Sequence, residues 1–487
     1  MKFRLILACA LVFGISGLAN ASSKDIKNAQ DSFRKNQFNS ALMPLIPVIS
    51  DYSKVDAGTG ILAGSVLVRN AELHRELSKL SISATVDYLK KLTKTKKGKE
   101  PSVFATLFYG EALLSQGDYK SAKKYFNQFL KKKVPEEYKE VARVKLGVVD
   151  WKLKQQNSAK AAWKKLGNSK SLLVRSELAR VNAEFLGDDK QAKKVVDEIA
   201  SEIKGQNNVS SRVLTNMISV YNEIKDYKSG MQVLAQHDIG SISYREDSKS
   251  GKFINFYDVN LLGDIAELYR GVASGLLETA GKDNRYKAIA DLQQIDLDII
   301  FGHSKNAAKT VRSMLSDQGL PAPIKKQVSI REGITAKGPK IWEKTVSDNS
   351  QDAMIVSKTL STCVQASASC KTTNKRLEKI AENLKGTNAV MVNSSIGRYY
   401  LAEKKYSKAI NFLEAARNKS LKNKIEANDP VLLVGLSDAY RHDNKYSESL
   451  EIYFEMSKEF PGVRQIQEAV QGVYAMEQRS AGDVKIF

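Results

Sequence analysis

Between residues 393 and 461 one pattern of small and large apolar positions occurs twice. Ile396, Gly397 and Tyr400 are followed by Tyr406, Ala409 and Leu413. Leu433, Leu436, Ser437 and Tyr440 are then followed by Tyr446, Ser449, Tyr453 and Pro461. Each set predicts two amphipathic helices joined by a tight turn. Gly397, Ser437, Ala409 and Ser449 would let the two backbones approach closely. Tyr400, Leu413, Tyr440 and Tyr453 would fill the gap to the next hairpin, with Tyr406 and Tyr446 at the turns. No single hairpin of this kind can bury its apolar face, so neighbours must stack.

The same pattern runs through the first half of the chain. Gly110, Leu113, Gly117, Tyr119, Ala122 and Phe126 form one repeat, and Gly147, Ala159 and Trp163 form the next, each 37 residues further on. Gly187, Ala192 and Val196 continue it, then Tyr221, Tyr227, Gly230 and Leu234. Phe38, Ala41 and Leu45, with Ala29, fit the end of an earlier repeat, and residues 58–92 read as a further helix pair.

This spacing resembles that of the tetratricopeptide-repeat family. The resemblance covers about residues 24–235 and 387–478. It implies an all-α solenoid of helical hairpins that works as a non-enzymatic binding scaffold, with peptides or partner domains held in a concave groove lined by first helices. The Trp of the family pattern is missing from each repeat, so no groove residue carries over. Exported members resemble parts of envelope machines for motility, pilus building, secretion or outer-membrane assembly. The predicted layout is a 1–21 leader, an array over 22–235, an irregular helical region over 236–386 and a second array over 387–487.

The middle region breaks the pattern. Tyr244, Phe253, Phe256 and Tyr257 lie on either side of Ser250 and Gly251, beside Arg245, Lys249 and Lys252. That alternation predicts a small β-hairpin over 242–257. Aromatic residues beside cations suit a partner contact, and equally a seal for the end of the first array. Helices are expected to resume at 261–279, 286–300 and 306–315.

The first residues read as an export signal. Lys2 and Arg4 precede the apolar run 5–18, and Ala19 and Ala21 supply the small residues that a signal peptidase reads. The mature chain is expected to start near Ser22 in the periplasm, possessing no membrane-spanning segment. The full chain carries a net charge of +22, and losing Lys2 and Arg4 leaves +20. Such a field favours anionic partners: an acidic or peptide-like envelope protein, a cell-wall polymer such as peptidoglycan, or an anionic lipid surface. Nucleic acid is not expected for an exported chain. A solvated surface that only keeps the chain soluble accounts for the charge equally well.

Candidate chemistry is sparse. Cys363 and Cys370 form an even pair for an oxidising compartment. On one continuous helix they would stand about 10.5 Å apart along the axis, too far to bridge. A disulfide therefore requires a turn through residues 365–368. His74, His237, His303 and His442 are isolated in sequence. Gly58, Gly60 and Gly64 lack the strand of a dinucleotide loop and read as helix packing. Ser121 and Lys124 have the spacing of some acyl enzymes without the companion motifs. No catalytic residue, metal site or cofactor is expected.

Overall fold

The structure is a computed structural model that describes residues 22–34, 38–50, 55–93, 101–206, 209–236, 261–335, 371–422 and 430–459, with single helical positions between 344 and 364. Every described element is a helix. The early helices are α1 (Ser23–Arg34), α2 (Phe38–Leu42), α3 (Ile46–Ser50) and α4 (Ala57–Leu92). Next come α5 (Pro101–Ser115), α6 (Tyr119–Leu130), α7 (Glu136–Lys152), α8 (Gln156–Leu166), α9 (Leu172–Val181), α10 (Asp189–Ile203), α11 (Ser211–Glu223) and α12 (Tyr227–Gln236). They are followed by α13 (Leu261–Ala280), α14 (Asn284–Ile300), α15 (Ser304–Ser316) and α16 (Ala322–Thr335). The last are α17 (Lys371–Ala381), α18 (Gly386–Ala402), α19 (Tyr406–Lys422), α20 (Pro430–His442) and α21 (Tyr446–Glu459).

The chain splits into two compact units, one of Met1–Leu73 with Tyr269–Ile452, the other of His74–Leu268 with Tyr453–Phe487. Both are built from helical hairpins of tetratricopeptide-like form. The predicted β-hairpin at 242–257, with Tyr244, Phe253, Phe256 and Tyr257, lies outside the described residues. So do Cys363, Cys370, Pro461, the 1–21 leader and the side chain of Tyr453.

One turn geometry recurs in both units. Gly117, Lys154, Gly187, Lys225, Gly302, Lys404 and Asn444 all have φ between +58° and +80°. The residue after each donates its N–H back across the turn, as from Asp118 to Leu113 O at 2.9 Å and from Lys445 to Tyr440 O at 2.9 Å. This is the left-handed cap that satisfies the orphan carbonyls of a helix end. Where Asp follows, its side chain caps the next helix, as Asp118 accepts from Ser121 N at 3.2 Å and Asp188 from Gln191 N at 3.1 Å. Five residues after each turn comes a small residue: Ala122, Ala159, Ala192, Gly230, Ala307, Ala409 and Ser449, all buried.

Opposite that residue the first helix offers its own slot. A Cβ at Gly110 would stand 2.9 Å from Phe126, and one at Gly397 would stand 2.5 Å from Leu413. At Gly147 the Trp163 indole occupies the space a Cβ would need, and its Nε1–H donates to Val144 O at 3.1 Å. In α20 and α21 both slots are serines, with Ser449 Oγ donating to Ser437 O at 3.0 Å.

Polar clasps join successive hairpins. Four residues before the turn, a side chain reaches the second helix of the preceding hairpin. Tyr221 OH donates to Asp197 at 3.0 Å, Tyr400 to Glu378 and Tyr440 to Glu414. Asp150, at the same position, accepts from Lys123 at 2.7 Å. Tyr400 also stacks on Phe412. Tyr406 opens α19 and stacks on His442, ring centroids 4.8 Å apart. Tyr446 opens α21 and donates to Asn444 Oδ1 at 2.9 Å.

Residues 58–92 are not a helix pair. They lie in a single helix of 36 residues, α4, because no proline or glycine interrupts the chain after Gly64. In the first unit Gly60 and Gly64 face α13, where a Cβ on Gly64 would meet Leu277 at 2.8 Å. These glycines seat one helix on another.

Two outcomes test the register. Lys225 holds a left-handed conformation that costs an L-residue about 1–2 kcal/mol. Glycine pays back part of that in chain entropy, so Lys225→Gly is expected to stabilise by about 0.5–1 kcal/mol in a denaturant melt. Ala409→Leu overpacks a slot with no room and is expected to destabilise by about 1–3 kcal/mol or more, whereas Leu at exposed Asn411 changes little.

Candidate interaction groove

In the second unit the first helices of four hairpins, α5, α7, α9 and α11, line a concave pocket of about 250 Å³. No lining residue comes from a second helix. The pocket residues sit at fixed offsets from the packing slots. Lys145, Val148 and Lys152 stand two before, one after and five after Gly147. Glu177, Arg180 and Glu184 stand at the same offsets from Ala179.

That second correspondence depends on a π turn. Residues Asn182–Leu186 extend α9 with one wider turn, which inserts a residue before the cap. Gly187 is therefore the left-handed turn residue, with nothing within 4 Å of a Cβ, and Ala179 takes the packing slot. Wider turns of this kind cluster at functional sites. Here the turn brings Glu184 and Phe185 into the pocket wall.

The groove floor carries a buried ion network. Glu177 is 2% exposed. It accepts from Lys145 at 2.6 Å and from Arg212 at 2.6 Å, and Arg212 also pairs with Glu111. Burial alone would raise the Glu177 carboxyl. Arg212 and Lys145 outweigh it and hold the group far below the usual carboxylate range. Arg180 pairs with Glu184, which also accepts from Ser219 Oγ at 3.2 Å. These charges are matched within the fold, so they shape the groove and fix its polarity.

What faces outward is different. Half-buried Val148 and Phe185 give the groove its apolar wall, over buried Ala112 and Val181. Phe185 stacks on Trp163 and meets Trp151 edge-on, with centroids 6.0 Å apart in each pair. The exposed Lys152 ammonium lies 5.2 Å from the Phe185 ring centroid, a cation beside an aromatic platform.

Behind the groove, Asp264 of α13 is pushed up to about 7. Burial is the main cause. Glu184 and Glu267 add to it, and Arg180 opposes. Its Oδ2 is sealed from solvent with no hydrogen-bond partner among the described residues.

The predicted packing residues Gly110, Ala122, Phe126, Gly147, Ala159 and Trp163 belong to this unit, and they build the groove from behind. Gly397, Tyr400, Tyr406, Ala409, Tyr440 and Tyr446 belong to the other unit. The sequence reading named no groove residue. Counting from each packing slot would have found Lys145 and Val148, but the π turn hides the count on α9. Among the described residues no group of His, Cys, Asp and Glu could hold a metal ion, and no helix is long and apolar enough to cross a membrane.

No protein-family model matches the chain, and no curated protein matches it. Among solved structures it is similar to the crystal structure of yeast Tom70, at 11% identity over 94% of this chain and 96% of that one, with a TM-score of 0.31. It is also similar to the APC/C hetero-tetramer Cut9–Hcn1, at 11% identity over 96% and 98%, TM-score 0.28. For the TPR domain of P58(IPK) the identity is 15% over 78% and 99%, TM-score 0.21. At these scores the likeness carries no argument, and the architecture stands on the turns and packing slots of the chain itself.

Asp264 gives the unit a pH signature. The carboxyl keeps its proton up to about pH 7 in the folded chain and only to about pH 4 in the unfolded one. The folded state binds the extra proton between those values, so stability falls as pH rises from about 4 to 7. Asp264→Asn is expected to stabilise by about 2 kcal/mol at pH 8, with the gain vanishing near pH 4. Thermal melts across that range read it.

Proposed function

We propose that this protein is a non-enzymatic scaffold whose second-unit groove holds an extended segment of a partner protein. The observation that carries this is the division of labour in the groove. The buried charges are paired with one another, while Val148, Phe185 and the Lys152 ammonium are left on offer. That surface suits a segment with an apolar anchor beside a carboxylate. Apolar contact supplies affinity, and the cation orients the segment.

The leader pattern of Lys2, Arg4 and Ala19–Ala21 supports work outside the cytoplasm. We place the protein in the periplasm, within an envelope complex for motility, pilus building, secretion or outer-membrane assembly. Its mature N-terminus is expected near Ser22, and an intact Met1 on cytosolic protein would contradict this placement.

A photo-crosslinking residue at Val148, compared with one at exposed Asn127 on the far side of the hairpins, tests the groove directly in intact cells. Adducts to one protein are expected from Val148 and not from Asn127. Phe185→Ala with Lys152→Glu is expected to weaken that capture at least tenfold while the variant stays folded, its melting temperature lowered by loss of the Phe185 contacts to Trp151 and Trp163. Equal labelling from both positions, or capture unchanged in the double variant, would overturn the proposal.

A further inference from the structure

The hairpins of the second unit have another face. Helices α6, α8 and α10 are the second helices of three successive hairpins, and none of their residues lines the groove. Their buried sides carry Ala122, Ala159 and Ala192. Their outward sides carry Lys120 and Lys124 on α6, Lys164 and Lys165 on α8, and Lys190 and Lys194 on α10. All six are exposed, and none has an ion-pair partner among the described residues.

Apart from Asp189 in its first turn, the acids of α10 are already engaged. Asp197 accepts from Tyr221 at 3.0 Å and pairs with Lys193 at 3.4 Å. Glu198 pairs with Arg175 at 3.3 Å. The three helices come from successive hairpins, so their lysine rows recur along one side of the unit.

We propose that this lysine face docks the protein on an anionic lipid surface and leaves the groove free for its partner. The chemistry selects that occupant. Helices α6, α8 and α10 contain no arginine, the residue suited to bidentate phosphate recognition. They present no exposed aromatic ring for base stacking. Spread point charges match a layer of monovalent headgroups, where each lysine adds roughly fivefold to binding. No large apolar side chain on these helices is exposed, so adhesion is electrostatic, without insertion, and salt releases it.

The test is co-sedimentation of the full chain with vesicles of phosphatidylcholine, with and without about one third phosphatidylglycerol. Binding is expected only to the anionic vesicles at low salt, and it is expected to be lost at high salt. Lys124→Glu, Lys164→Glu and Lys194→Glu together are expected to reduce it at least tenfold. An equal charge change on the first unit, Lys305→Glu, Lys309→Glu and Lys325→Glu, is expected to reduce it less than threefold. Glutamine at the same three positions of the second unit serves if the glutamate variant fails to fold. Equal loss in both triple variants would assign the effect to net charge and overturn the proposal. Absence of vesicle binding, equal binding to neutral vesicles, or tighter capture of soluble polyphosphate than of the anionic vesicles would also overturn it.

Discussion

Everything in this fold depends on how closely two antiparallel helices can approach beside a left-handed turn. The turn fixes where the second helix starts. Five residues later a small side chain meets the first helix, and the first helix answers with a small slot of its own. Gly147 under the Trp163 indole is the tightest case. With the slots filled in this way, each hairpin still has an unpaired apolar side. The next hairpin covers it, and the clasps of Tyr221, Tyr400 and Tyr440 to carboxylates on the preceding hairpin set the register of the stack.

The groove is a product of that stacking. First helices that repeat the same approach bring equivalent positions side by side, so residues far apart in sequence meet. Glu111 and Glu177 thereby share Arg212. A buried carboxylate with two cations is costly to assemble, and removing one partner would leave an uncompensated charge. The network therefore pins α5, α7, α9 and α11 at one spacing. Because its charges are matched internally, recognition is left to the apolar wall and to Lys152. Second helices face the other way, which gives the same unit two chemically distinct surfaces.

The sequence carried much of the fold because small and large residues at hairpin spacing have few other uses. Gly110 with Phe126 and Gly397 with Leu413 are such pairs. Turn chemistry was legible only in part. Glycine at 117 announces a left-handed residue, but Lys154, Lys225 and Lys404 do not, since a lysine in that conformation is held by the stack and not by its own preference. The helices α14 and α15 were expected but not their repeat hairpin, because Ile295 stands where α5, α7, α9, α18 and α20 carry a small residue. Residues 58–92 were read as a helix pair from their length, but with no proline or glycine after Gly64 they form the single helix α4. Groove residues stayed hidden because the π turn at 182–186 shifts the count by one and no local pattern marks such a turn.

Coupling between neighbouring hairpins is the claim on which both surfaces rest. Hydrogen exchange on the full chain with Gly147→Val measures it. The substitution sets a side chain against Trp163 inside the α7–α8 hairpin alone. Stacked hairpins predict faster exchange in α5 and α6 and in α9 and α10 as well, with α18 to α20 of the other unit unchanged. Acceleration confined to α7 and α8 would mean that each hairpin is stable by itself, and it would contradict the account.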